Sequence, residues 1–109
     1  MARQKLLTVE IANRLPAMYS TENVSHDKIV QVKFFHPYGR GTWWATEYDP
    51  GDRMFYGAVD LGMTDEPEWG PFSLDELESI RGPGGVQGVE RDAFFTPKPW
   101  REVMAAWRP

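Results

Sequence analysis

An α+β fold, in which an antiparallel β-meander of three to five strands carries short helices packed on it, is what the sequence predicts, on three observations. Residues 28–61 hold three β-favouring runs separated by turns containing Gly and Pro. A Ser-x-x-Glu box opens a helical stretch at Ser73, and apolar residues recur at helical spacing near both ends of the chain. The 109 residues match the ordinary size of one domain, so a single domain over residues 1–109 with one core is expected.

Thr8 caps a helix containing Val9, Ile11, Ala12 and Leu15, and Pro16 stops it. Ser20 to Asp27 is polar and reads as a loop. Lys28 to His36 is rich in Val and Phe and reads as a strand, after which Pro37, Gly39 and Gly41 frame a turn into a second strand, Thr42 to Tyr48. Asp49-Pro50-Gly51-Asp52 is a turn by composition, Arg53 to Leu61 a third strand, and Glu68 to Phe72 a short fourth. From Ser73 a helix runs to about Ile80, because the Ser hydroxyl and the Glu76 carboxylate can each satisfy a backbone donor of the other. Gly82-Pro83-Gly84-Gly85 is a loop, Val89 to Phe95 a last strand, and residues 99–107 a helix with Val103, Met104 and Trp107 on one side.

If the turn centred on Gly39 pairs Phe34 with Trp44, and the Pro50-Gly51 turn pairs Thr46 with Phe55, both faces of the sheet can be written down. The core face then carries Val30, Val32, Phe34, Trp44, Thr46, Tyr48, Phe55, Val59 and Leu61. The opposite face carries Gln31, Lys33, Phe35, Trp43, Ala45, Glu47, Met54, Tyr56 and Asp60. On that mixed face Phe35, Trp43 and Tyr56, rimmed by Lys33, Arg40 and Glu47, form a candidate aromatic anchor for a partner. The competing expectation is that the terminal helices cover the rings, since helices need apolar surface to pack on. A slip of one residue in register exchanges the two faces.

Composition narrows the function classes. Without cysteine there are no disulfides, thiolate metal sites or cysteine nucleophiles, which suits a reducing cytoplasm. No long apolar run provides a signal peptide or membrane span, so no membrane partner is expected. The net charge of −4 leaves nucleic acid the less favoured partner, because phosphate binding would need a local basic patch. His26 and His36 have no second His at metal-ligand spacing. Asp49, Asp52, Asp60, Asp65 and Glu66 lack the loop grammar of a calcium site and read as turn formers. The glycines at 82–88 have no Lys-Ser/Thr continuation and lead into a strand, so a phosphate cradle is not expected, and Glu90-Arg91-Asp92 reads as a solvated ladder of charges. No nucleophile–base or paired-carboxylate arrangement emerges from spacing, and the chain is expected to be a binding protein with no cofactor and no catalytic residue.

Leu6-Leu7-Thr8, Arg14-Leu15-Pro16 with Tyr19, Val32-Lys33-Phe34-Phe35 with Pro37, Thr42-Trp43 with Thr46-Glu47, Phe72-Ser73-Leu74 with Glu76-Leu77, and Glu90-Arg91-Asp92 with Pro97 follow one another along the chain. In that order they resemble a domain family of unknown function found on bacterial plasmids, prophages and conjugative elements, one that includes a small anti-CRISPR protein. The resemblance implies a counter-defence role: inhibition of type II-A Cas9 by direct binding to Cas9 or its complex with guide RNA, in the host cytoplasm. Such an inhibitor needs only a surface that occupies one the target requires, such as the PAM-reading cleft, the basic channel or the mobile nuclease domain. From other classes, the alternatives are a single-stranded nucleic-acid binder, stacking bases on Phe35, Trp43 and Tyr56 beside Lys33 and Arg40, and a structural or regulatory accessory of a mobile element.

Overall fold

A computed structural model of the protein describes residues 4–22 and 27–107; His26 lies outside the described residues. Helix α1, Val9–Arg14, starts at Thr8, whose hydroxyl accepts the Ile11 N–H at 3.2 Å. The expected first strand is divided: β1 is Ile29–Val30 and β2 is Val32–Phe35. Strands β3, Thr42–Asp49, β4, Met54–Asp60, and β5, Glu68–Ser73, complete the meander. Helix α2, Leu74–Ser79, opens where the Ser73 hydroxyl accepts the Glu76 N–H at 3.1 Å, the forward half of the expected box. The Gly-rich loop holds a 3₁₀ turn at Pro83–Gly85. Only Glu90–Arg91 of the expected last strand pairs, as β6, and a further short strand, β7 at Lys98–Pro99, leads directly into helix α3, Trp100–Trp107.

These elements make an α+β protein with a five-stranded antiparallel sheet in the order β5-β4-β3-β2-β6, beside a two-stranded sheet of β1 and β7. The break at Gln31 follows from that division: β1 leaves the main sheet to pair with β7, and the Gln31 N–H still reaches the Ala45 carbonyl at 2.9 Å. Val30 therefore packs with Trp44 and Val103, whereas Val32 and Phe34 pack on the other side of the sheet. The expectation that the three valine and phenylalanine positions share one face is corrected at this point.

Register corrects the faces further. Phe34 lies opposite Trp43, not Trp44, because the turn is centred between Tyr38 and Gly39, with the His36 N–H on the Gly41 carbonyl at 3.0 Å. Phe55 lies opposite Tyr48, not Thr46. The ladder shifts between Ala45 and Glu47, so Thr46 is an extra residue, a β-bulge that reverses the side-chain alternation of β3 on its N-terminal side. Its hydroxyl bonds the Tyr56 carbonyl at 3.1 Å. Gly57 is needed opposite the bulge: a Cβ there would stand 1.8 Å from the Trp44 carbonyl oxygen.

The first face of the sheet buries Val32, Phe34, Trp43, Ala45, Tyr48, Phe55 and Phe72 under α2 and the N-terminal segment, through Leu74, Leu77, Leu6 and Leu15, with Ile11 of α1 packed alongside. The second face buries Trp44 and Ala58 under α3, through Val103 and the partly buried Trp100, Met104 and Trp107. Both faces are therefore covered, but not as the competing expectation had it: Trp43 is buried with α2, which is not a terminal helix, and Phe35 and Tyr56 remain half-buried. Leu61, expected in the core, is exposed beyond the end of β4.

Candidate functional site

On the second face a charged cluster sits beside the α3 contact. Glu47 follows the bulge at Thr46 and lies opposite Tyr56, and its side chain is fully buried. A buried carboxylate needs donors on both oxygens and a positive partner. Glu47 Oε1 accepts the Tyr19 N–H; Oε2 accepts the Thr21 hydroxyl and the Lys28 ammonium, the latter at 3.2 Å. Tyr19 directs its N–H there with φ at +63°, a left-handed conformation uncommon outside glycine.

Lys28 precedes β1, and its carbonyl accepts the Trp100 N–H at 2.9 Å, which ties the start of α3 to the same site. The ammonium, on a side chain 11% exposed, lies 4.9 Å from the centre of the Tyr56 ring and 5.8 Å from that of Trp69. Both distances lie within the range of cation–π attraction. The rings continue as a chain: Tyr56 stacks on Trp69 at 6.1 Å, Trp69 meets Trp100 edge-on at 4.9 Å, and Trp44 meets Trp100 and Trp107 edge-on at 5.5 and 5.3 Å. The arrangement holds a cation between a carboxylate and aromatic faces.

Of the residues singled out from sequence, the structure brings Glu47 and Tyr56 together in this cluster. Lys33 and Phe35 share the second face, where the Lys33 ammonium is 3.8 Å from Asp92. Arg40 lies in the β2–β3 turn, against the Gly62 carbonyl at 3.4 Å. Trp43 is removed from the group: it is 6% exposed and belongs to the opposite core. Sequence reasoning missed Lys28, Trp69, Tyr19 and Thr21. One signal was available, a carboxylate inside the otherwise uncharged run Thr42 to Tyr48, which if turned inward requires a cation from elsewhere.

A second surface feature follows the free edge of β5. A shallow groove of about 610 Å³ is lined there by Leu61, Glu68, Trp69, Pro71 and Glu76, among others. Leu61 and Trp69 are exposed, and so is Met63 in the loop before β5. The acidic turn residues act locally: Asp49 accepts the Gly51 N–H at 2.9 Å and Asp60 the Gly62 N–H at 2.7 Å. Among the described residues no three His, Asp or Glu side chains gather to hold a metal ion, and no helix is long and apolar enough to cross a membrane.

Fold and site together define an α+β protein whose sheet is covered on both faces and whose second face encloses an ion pair in an aromatic cluster. The chain belongs to the family of proteins of unknown function DUF2958, which matches residues 6–107. No curated protein and no solved structure matches it.

Proposed function

We propose that this protein inhibits type II-A Cas9 by direct binding, without catalysing a reaction, and that the β5 edge provides the contact. The resemblance of its ordered motifs to a mobile-element family with an anti-CRISPR member supports the target. One observation carries the choice of surface: the groove along β5 combines exposed apolar groups, Leu61 and Trp69, with the carboxylates of Glu68 and Glu76. Carboxylates beside exposed apolar groups complement the basic surfaces by which Cas9 holds nucleic acid. An outer strand such as β5, which pairs only with β4 among the described residues, also offers backbone groups to a partner.

The nucleic-acid alternative asks for Phe35, Trp43 and Tyr56 as stacking platforms. Trp43 is interior, and the Tyr56 ring is engaged by Lys28 and Trp69, so that platform is not presented. Cleavage assays with several type II-A Cas9 enzymes, each incubated with increasing amounts of this protein, test the proposal. Near-equimolar protein should suppress cleavage by at least one enzyme and co-purify with it, guide-loaded or guide-free. Full cleavage by every enzyme at excess protein rejects the reading, and salt-sensitive binding to free single strands favours the alternative.

A further inference from the structure

We propose that Glu47, Tyr56 and Trp69 form a binding site for a primary alkylammonium ion, and that the protein occupies it with its own Lys28. The inference is independent of the Cas9 reading. It starts from the carboxylate, whose remaining hydrogen-bonding capacity is defined by its neighbours. Oε1 is taken by the Tyr19 N–H, and Oε2 is shared by the Thr21 hydroxyl and the Lys28 ammonium. Tyr19 holds a left-handed backbone conformation, costly for a residue with a side chain, while its N–H meets this oxygen. The anion is therefore prepared by the 16–22 segment independently of the cation.

The cation side is equally specific. The faces of Tyr56 and Trp69 lie 4.9 and 5.8 Å from the nitrogen, and the nitrogen is 3.2 Å from Oε2. A quaternary ammonium could use the rings but has no N–H to give to Oε2. A guanidinium pairs best by bonding both carboxylate oxygens at once, whereas the cation here bonds Oε2 alone, the contact that a single ammonium makes. The geometry selects a compact ammonium on an alkyl stem. A cavity of about 150 Å³, bordered by Pro16, Thr21, Ile29 and Thr46, accompanies the Lys28 stem and gives an incoming alkyl chain its route.

Lys28→Ala removes the atoms of one propylammonium ion, which makes that ion the probe. Melting temperatures of the wild type, Lys28→Ala and Lys28→Ala/Glu47→Gln are measured in propylammonium chloride, tetramethylammonium chloride, sodium chloride and propan-1-ol. Lys28→Ala should melt below the wild type and be raised by propylammonium in a saturable way at millimolar concentration, while the wild type and the double variant do not respond. Equal responses to propylammonium and sodium, or to propylammonium and propan-1-ol, overturn the proposal. If Lys28→Ala does not fold, the wild type decides it by NMR. The Lys28 Cε protons should be shifted upfield by the two rings, and a shift equal to that of a solvent-exposed lysine rejects the site.

Discussion

Trp43 and Trp44 are neighbours in the chain and end in different cores. Trp43 packs with Phe34 and Phe55 beneath α2, whereas Trp44 meets Trp100 and Trp107 of α3. Thr46 separates their alternation from that of Tyr48, and one bulged residue thereby determines which indole joins which core. Because the Trp43 ring is interior, Trp43→Ala acts on folding: truncation should lower stability by about 3–5 kcal/mol. Urea unfolding followed by circular dichroism measures this. A variant as stable as the wild type would place the ring outside the core and restore it as a candidate anchor.

At the scale of elements, the β3–β4 turn and α2 act together on Tyr48. Arg53, in the turn with φ at +54°, bonds Asp75 and Glu78 of α2 at 2.7 Å each. These pairs are exposed and contribute little each, roughly 0.2–1 kcal/mol, yet they place two carboxylates near the buried phenol. Burial raises the Tyr48 pKa above its ordinary 10.0; Arg53 opposes this, and Asp75, Glu78 and Asp49 add to it. The folded state thus keeps the proton longer than the unfolded chain. The corresponding stability is complete below pH 10.0 and is lost as pH rises through the folded pKa. Denaturant midpoints across an alkaline series should fall less steeply for Tyr48→Phe than for the wild type; parallel curves would contradict this.

For the whole molecule, covering both sheet faces leaves the rim as the place where the proposed contact has exposed apolar groups. The net charge of −4 disfavours nucleic acid overall, and the β5 edge places Glu68 and Glu76 beside exposed Leu61 and Trp69. If that rim binds Cas9, Glu68→Lys/Glu76→Lys should weaken inhibition at least tenfold, about 1.4 kcal/mol, while the protein stays folded with only the small loss of melting temperature that reversing a charge in the first turn of α2 brings. Both side chains are exposed, so the fold itself should tolerate the reversal. Undiminished inhibition by this variant would move the contact to another surface, while leaving the Cas9 target to be judged by the cleavage assays.

Local chemistry was legible in the residues themselves. Thr8 and Ser73 announce their helices because a side-chain oxygen satisfies a backbone donor three residues away, and Asp49 with Gly51 announces a turn for a similarly local reason. The order of the meander, the five-strand upper bound and the terminal helices followed from such signals. Faces and site did not. Propensity carries no marker for the extra residue at Thr46 or the break at Gln31, each of which reverses alternation for everything beyond it. Lys28 and Glu47 are 19 residues apart and come together only because β1 leaves the main sheet. Tertiary structure decided these because burial of a charge is settled by the partners that surround it, and those partners come from segments whose association no local pattern encodes.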